Sequence, residues 1–420
     1  MVTATTMSRP LRAPDTADYV PSLTGVRGVL ALIVFGAHFT AVGLTLNQKS
    51  SHQSLLHRTL EALFAHGSVA VMAFFVLSGF VLTWISRPGD RVRDFYQRRF
   101  AKVYPIHAIT TAVALVLVIT SFGVPVWYLI GAHFALVHAW VPSQFFYFGL
   151  NGPTWSLACE AFFYLCFPAL IVLLRRASAR GLYLTIAVCV TLTFTLPALV
   201  NGVFNVATPD QFEMVPTAGE GGPFTFWFAY PFPLMRLPEF VAGMALALLV
   251  RSGRWYGPNV AIGIGLAVIG WEINNNLPGY LHFQAGMLVP VILLLGALAK
   301  ADAGGGWSPL RWGPLVWFGE VSFSFYASHL IVQEQIVIRI GIWMYNQGWV
   351  PDNTVVWHWY QALPFMALDF VIAVLVAWLL YRLVELPMQR LLRPRVKKAA
   401  TPPPPAEDDA ELVPATSSAS

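Results

Sequence analysis

The sequence predicts an all-α polytopic membrane protein with about ten transmembrane helices. Hydrophobic residues make up 56% of the 420 residues and charged residues only 11%, and the mean hydropathy is +0.61, whereas about 25% of residues are charged in soluble domains. Apolar segments near the ~20 residues that a helix needs to cross a bilayer recur along the chain. The basic residues concentrate in alternate connecting segments, as the positive-inside rule describes. The lipid bilayer is therefore the partner that composition implies, and nothing suggests a nucleic acid.

Ten spans follow from this pattern, in chain order. They cover residues 24–45, 67–86, 103–122, 154–174, 182–200, 225–250, 259–274, 282–299, 315–343 and 361–384. When the N-terminus is placed in the cytoplasm, 22 of the 26 Lys and Arg residues fall in cytoplasmic segments or at their edges. Both termini are therefore predicted to be cytoplasmic, and the protein is predicted to lie in the cell (inner or cytoplasmic) membrane.

One apolar stretch, residues 125–152, does not fit a complete crossing. It is too short, and the charge pattern requires an even number of crossings at this point. Backbone that enters a membrane without crossing it must be covered by neighbouring helices. We therefore expect one short re-entrant or interfacial helix near 125–141.

The chain divides into one large domain and two tails. Residues 1–21 are predicted to form a cytosolic N-terminal tail, and residues 22–393 the ten-span membrane domain. The segment 394–420 is rich in Pro and small polar residues, a composition that predicts disorder in a cytosolic tail.

The first span carries two ionisable residues, Arg27 and His38, eleven residues apart. Eleven residues make three helical turns, so both side chains share one face, about 16 Å apart along the axis. Ionisable residues inside a span usually mark function. An arginine near the cytosolic end can hold a phosphate, and a histidine deeper on the same face can act as a general base at neutral pH. A histidine that only hydrogen-bonds between helices is the structural alternative.

A basic cluster precedes the third span. Six basic and two acidic residues occupy the sixteen positions from 87 to 102, and membrane topology together with attraction to anionic lipids accounts for most of this charge. Arg98 and Lys102, however, lie one helical turn apart on one side, with Arg99 between them. With Arg27 they can form an anion pocket for a phosphorylated ligand.

Further polar residues lie inside the apolar segments. Glu160 follows the start of the fourth span, where its carboxylate either fixes packing or orients the histidine or the acceptor. Arg236 and Glu239, three residues apart, most simply form an ion pair within the sixth span, and Glu385 most simply caps the tenth. The substrate-binding candidates are Ser78, Trp155, Ser156, Tyr326 and His329.

The stretches that carry these residues resemble, in combination, one family: the multispan "type three" membrane acyltransferases of O-antigen, peptidoglycan, nodulation factors and macrolides. In chain order from residue 22 to 388, they are LTGVRGVLALIVFGAHF, FFVLSGFVLTW, RRFAKVYP, PTWSLACEAFFYLCFP, RLPEFVAGM, GEVSFSFYASHL and VELP. The resemblance covers nearly all of the chain except its tails.

The resemblance implies an acyl-CoA donor, by default acetyl-CoA, that binds from the cytosol, and transfer of the acyl group to a hydroxyl without a metal. It implies that His38 is catalytic, as base or as transient acyl carrier, and that Glu160, at the family's acidic position, is the second catalytic residue. The residues it assigns to the donor are Arg27, Arg98, Arg99 and Lys102. Lys102 replaces an arginine usual in the family, which keeps the charge but loses the bidentate fork.

The predicted function is O-acylation of a sugar-containing acceptor: a cell-surface glycan, a lipid-linked saccharide or a macrolide-type metabolite. A multispan transporter or exporter of a polar or glycosylated substrate is the alternative, because polar residues at mid-depth also suit a transport pathway. A transporter needs neither the cytosolic arginine cluster nor this order of motifs. A non-catalytic membrane scaffold would leave the Arg27–His38 pair unexplained.

Overall fold

The computed structural model describes residues 20–40, 59–60, 63–64, 67–204, 222–348 and 359–392. All regular structure within these ranges is helical. The tails predicted at 1–21 and 394–420 lie outside them, apart from residues 20 and 21.

Long helices joined by short connections account for most of the described chain. They are α1 (Pro21–Phe39), α2 (Gly67–Ile85), α3 (Val92–Phe122), α4 (Trp127–Phe134), α5 (Gln144–Tyr147), α6 (Trp155–Arg175), α7 (Ala179–Phe204), α8 (Gly222–Ala229), α9 (Pro233–Arg251), α10 (Val260–Asn275), α11 (Gly279–His282), α12 (Ala285–Ala303), α13 (Gly313–Asn346), α14 (Trp359–Leu380) and α15 (Leu386–Leu391). Three 3₁₀ turns (His138–Trp140, Gly152–Thr154 and Pro309–Arg311) and one π-helical turn (Tyr381–Glu385) complete the order of the described elements.

The predicted membrane architecture is confirmed. Within the described ranges, nine helical segments are long and apolar enough to cross a membrane, and α10, which corresponds to the predicted seventh span, is a shorter apolar helix of 16 residues. The predicted spans map onto these segments in order. The main difference is α3, which begins at Val92 and so extends the third span through the basic cluster.

Several segments predicted to be cytoplasmic meet at one end of the bundle. The carboxylate of Asp302 accepts hydrogen bonds from Ser22 Oγ at 2.6 Å and from Arg311 Nε at 2.7 Å, and Arg251 donates to the carbonyl oxygen of Trp84 at 2.6 Å. These contacts join α12 to α1 and to the 3₁₀ turn Pro309–Arg311, and α9 to α2. We call this the basic end; it is marked by Lys102, Arg175, Arg251 and Arg311.

The segment after α3 turns back into the bundle. His107 Nε2 donates to the carbonyl oxygen of His133 at 2.8 Å, and His107 lies fifteen residues, or about 22 Å, before the end of α3 at Phe122. The segment that follows Phe122 therefore runs back alongside α3 by about 22 Å to reach His107, before α6 begins. Both rings are buried. The re-entrant helix expected near 125–141 is α4 with the turn that follows it.

Helices α2 and α9 cross in close contact at two glycines. A Cβ on Gly79 would collide with the carbonyl oxygen of Phe240, and one on Gly243 with that of Val76. Small residues allow this approach of helix backbones in membranes. The crossing holds Ser78, the neighbour of Gly79, close to Tyr164 on α6.

Candidate active site

The structure brings two predicted residues, His38 and His329, into direct contact. His38 lies in the last turn of α1, and His329 lies sixteen residues, about 24 Å, along α13 from Gly313 at the basic end. Their Nδ1 and Nε2 atoms are 2.8 Å apart, and the two rings are stacked with centroids 5.0 Å apart. His329 is fully buried and His38 partly so. The bundle thus contains an imidazole pair far from its basic end.

The hydrogen bonds of this pair determine where its protons lie. The Nδ1 atom of His329 faces the carbonyl oxygens of Phe325 at 3.1 Å and Tyr326 at 2.9 Å, so this nitrogen must carry a hydrogen. A charged ring is costly in an apolar interior, and with both rings neutral the Nε2 of His329 is an acceptor. His38 must then donate from Nδ1, which leaves a lone pair on its Nε2. That is the protonation state a general base requires.

Three of the other substrate-binding candidates, Trp155, Ser156 and Tyr326, lie where α6 begins and packs on α13 next to this pair. Ser156 Oγ is 2.9 Å from Tyr326 Oη, and both hydroxyls lie within hydrogen-bonding distance of the carbonyl oxygen of Pro153, at 2.9 and 3.2 Å. Tyr326 precedes His329 by one turn of α13. Trp155 is buried against the rings of Phe75 and Tyr230. The start of α6 is thereby held against the histidine-bearing face of α13.

The predicted donor-binding residues converge around Glu160. Arg27, Arg99 and Lys102 all lie within electrostatic reach of its carboxylate, and Arg98 is close to Arg99. In the part of the chain that the structure describes, the buried Nε of Arg99 has no hydrogen-bond partner. A group of cations with a free buried donor is suited to an anionic ligand such as a phosphate.

Glu160 has a hydrogen-bond donor that the sequence did not reveal. Tyr164, one turn further along α6, donates from its hydroxyl to Glu160 Oε2 at 2.6 Å. Tyr164 also lies close to Ser78 on α2. The spacing of four residues between Glu160 and Tyr164 was the available signal, since side chains four apart meet on a helix.

Glu385 does more than cap a helix, the role we expected for it. It ends the π-helical turn, a rare geometry frequent at functional sites. Its carboxylate accepts hydrogen bonds from Ser324 at 2.7 Å and Gln389 at 3.1 Å, and lies 3.8 Å from Lys102 Nζ. Lys102 is thus held in the basic cluster by an acid from the other end of the chain.

The ion pair predicted within the sixth span is confirmed. Arg236 Nη1 and Glu239 Oε1 on α9 are 2.7 Å apart, and both side chains are fully buried. Arg236 also donates to the carbonyl oxygen of Tyr230 at 2.6 Å and to Gln284, the residue that precedes α12. The pair therefore joins α9 to the start of α12 behind Trp155, whose ring lies 5.7 Å from the guanidinium carbon.

Comparison with known proteins identifies the class to which these residues belong. Residues 20–382 match the family described as "Acyltransferase domain". The chain belongs to this acyltransferase family. The matched range contains every predicted site residue of the acyltransferase, from Arg27 to His329, while Glu385 lies just beyond it.

Two relatives support the same assignment. "Acyltransferase MdmB" from Streptomyces mycarofaciens is 35% identical over 403 residues, which cover 94% of this acyltransferase and 98% of the relative. "Peptidoglycan O-acetyltransferase OatA" from Listeria monocytogenes is 28% identical over 191 residues, 40% of this acyltransferase and 27% of the relative. No solved structure matches the chain. The prediction of a membrane acyltransferase is confirmed.

Proposed function

We propose that this acyltransferase moves an acyl group, by default acetyl, from acyl-CoA to a hydroxyl of a sugar-containing acceptor. The observation that carries the proposal is the placement of two sites on one helix. Arg27 lies in the basic cluster and His38 in the imidazole pair, about 16 Å apart along α1. A donor with phosphates at one end and a thioester at the other can occupy both sites at once.

The phosphates of the donor bind the cluster of Arg27, Arg98, Arg99 and Lys102. Guanidinium groups hold phosphate oxygens by paired charge-assisted hydrogen bonds, and the ammonium of Lys102 adds a point charge. Glu160 lies among these cations, which favours a role in ordering the donor pocket through Tyr164. The basic end then faces the cytoplasm, where acyl-CoA is made, and both termini are cytoplasmic.

The chemical step uses His38 as a general base. Its Nε2 takes the proton of the acceptor hydroxyl while the hydroxyl oxygen attacks the thioester carbonyl. The bond between carbonyl carbon and sulfur then breaks, and the CoA thiolate takes the proton from Nε2, so the products are the ester and free CoA. His329 acts as a positioning residue, because its acceptor nitrogen keeps the hydrogen of His38 on Nδ1.

The acceptor enters from the end opposite the cations. The relative from Listeria is by name an O-acetyltransferase of peptidoglycan, and the resemblance found in the sequence also includes enzymes of O-antigen and macrolides. A carbohydrate-type hydroxyl is the acceptor chemistry these share.

The first test needs no acceptor. The purified protein in detergent is expected to bind acetyl-CoA and to release free CoA slowly, with water in place of the acceptor. Binding is followed by isothermal titration and release by a thiol reagent, with S-acetylpantetheine, which lacks the adenosine phosphates, as the weakly bound control. Failure to bind acetyl-CoA or longer acyl-CoAs would contradict the proposed donor.

Two substitutions of His329 distinguish a role in positioning His38 from a role in helix packing alone. The His329→Gln variant is expected to keep much of the activity, because the glutamine amide can present an acceptor oxygen where Nε2 stood. His329→Phe removes the acceptor and should lower kcat by roughly 10²- to 10⁴-fold, the contribution that a correctly protonated general base makes. Equal loss in both variants, with KM for acetyl-CoA unchanged, would show that an acceptor at this position is not what His38 requires.

A further inference from the structure

A groove between α7 and α9 opens toward the surrounding lipid. Its volume is about 530 Å³, within the range of roughly 300–1,000 Å³ typical of small-molecule sites. Along α7 it extends from Gly181 to Leu196, fifteen residues or about 22 Å. Its lining side chains are apolar apart from Thr185, whose hydroxyl already donates to the carbonyl oxygen of Gly181 at 2.9 Å. The side chains therefore offer a ligand apolar contact rather than hydrogen bonds.

A row of small residues on α7 forms the floor of the groove. Gly181, Thr185 and Cys189 recur at spacings of four and so share one face of the helix. The larger Leu184 and Val188 beside them are exposed, so this face points away from the bundle. The medium there is hydrocarbon, and an alkyl chain is the occupant that matches such a lining. The opposite wall, on α9, consists of Leu234, Leu237, Pro238 and Val241.

Two arginines flank the end of the groove at Gly181. Arg180 precedes Gly181 directly and is exposed. Tyr183, two residues further along α7, donates from its hydroxyl to the carbonyl oxygen of Arg254 at 3.1 Å. This hydrogen bond holds the turn after α9 against α7, and Arg254 is exposed as well. Both arginines thus lie where the groove meets the basic end.

The two arginines lie in segments without acids. The sequence contains no Asp or Glu from 161 to 209 or from 240 to 271, and among the residues that the structure describes neither Arg180 nor Arg254 forms an ion pair. Guanidinium groups hold phosphate oxygens by charge-assisted hydrogen bonds. A molecule that joins an alkyl chain to a phosphate therefore matches both the groove and its charged end.

A second copy of the chain is the other occupant that a row of small residues suits. In a symmetric dimer the same surface of each copy would meet, which would bring Arg180 and Arg254 of both copies to one end of the contact. Like charges repel, and the segments that meet supply no acid beside these arginines. The charge pattern therefore favours a lipid over a second copy.

We propose that the groove binds one anionic glycerophospholipid, with an acyl chain between α7 and α9 and the phosphate at Arg180 and Arg254. One leaflet contributes about 15 Å to the ~30 Å hydrocarbon core of a bilayer, so a groove of about 22 Å accommodates a chain from the leaflet at the basic end. None of the lining residues belongs to the donor cluster or to the imidazole pair. The site is therefore independent of the proposed acyl transfer and can be tested without it.

Native mass spectrometry of the purified protein in detergent measures this binding, with phosphatidylglycerol and phosphatidylcholine of identical acyl chains as probes. One phosphatidylglycerol is expected to bind more tightly than phosphatidylcholine. Arg180→Gln and Arg254→Gln should each lower the affinity for phosphatidylglycerol about 5-fold, and together roughly 30-fold, with the affinity for phosphatidylcholine unchanged. Arg93→Gln, which removes an exposed arginine from α3, is the control and should change neither.

Filling the groove tests the place of the acyl chain. Val188→Trp puts a large ring into the groove and should lower the affinity for both lipids about 10-fold, because apolar contact with the chain is lost. Val203→Trp is the matched control, since Val203 is also exposed on α7 but does not line the groove. Melting temperatures of the two variants are compared, and if Val188→Trp is the less stable, the arginine variants decide alone.

Three results would overturn the proposal. Equal affinity of the wild type for both lipids would show that the arginines do not hold the phosphate. Equal binding by equally stable Val188→Trp and Val203→Trp variants would leave only unspecific lipid around the bundle. A wild-type dimer that Val188→Trp converts to a monomer would make a second copy of the chain the occupant.

Discussion

Replacement of His38 by alanine is expected to abolish acyl transfer while leaving the binding of acetyl-CoA largely intact. The imidazole supplies the lone pair on Nε2 that removes the hydroxyl proton, and a lost general base costs roughly 10²- to 10⁴-fold in rate. Donor affinity should persist because the cations that hold the phosphates lie about 16 Å away along α1. The measurements are single-turnover release of CoA and the Kd for acetyl-CoA.

A double variant tests whether the two histidines act as one unit. Residues that act together are strongly non-additive, so His329→Phe should cause no further loss in a His38→Ala background. Additive losses would mean that His329 contributes independently of the 2.8 Å contact.

Rapid quenching of the enzyme with radiolabelled acetyl-CoA distinguishes the two chemical roles considered for His38. Label that stays on the protein only when His38 is present would favour the transient acyl carrier over the general base.

Replacement of Arg99 by alanine is expected to weaken acetyl-CoA binding by roughly 10- to 100-fold, because a hydrogen bond to a charged group contributes about 1.5–3 kcal/mol. Arg99 offers a buried Nε that has no partner in the described chain. Arg27→Ala should act in the same direction. Titration calorimetry at low salt measures both, and the loss should diminish as salt screens the wild-type interaction.

The chain offers a matched control for this loss. Arg93 lies on the same helix as Arg99, but its side chain is exposed, so Arg93→Ala should leave the Kd unchanged. A truncated ligand makes the test sharper, since S-acetylpantetheine has no adenosine phosphates. If Arg99→Ala weakens the binding of this compound as much as the binding of acetyl-CoA, the arginine does not contact phosphate and the donor pocket is misplaced.

How much of the site could be predicted depended on the distance in sequence between its parts. Arg27 and His38 share one helix, and helix geometry alone places them on one face at a calculable spacing. Glu160 and Tyr164 obey the same local rule. The contact between His38 and His329 joins residues 291 positions apart. The residue pattern within either helix does not indicate which other helix its polar face contacts.

The contribution of Glu385 could not be read from the sequence for a second reason. It is an acid at the end of the apolar C-terminal span, and by itself it is compatible with a cap, an ion pair or a lone protonated group. Glu385 proves to lie 3.8 Å from Lys102 on α3 and to accept a hydrogen bond from Ser324 on α13. Both partners come from the packing of the π-helical turn against α3 and α13.

The sequence by itself determined the helical membrane class, the positions of the spans, the re-entrant segment and the spacing of Arg27 and His38 along one helix face. Each of these follows from hydrophobic length, charge distribution or the pitch of a single helix, which are local properties. Only the tertiary structure decided that His38 meets His329, that Lys102 lies beside Glu385 and that Gln333 on α13 donates to the backbone of α1 at Phe35. Helices in lipid present similar apolar surfaces on many faces, so these pairings emerge only when small residues and buried polar groups from distant segments are brought together in one bundle.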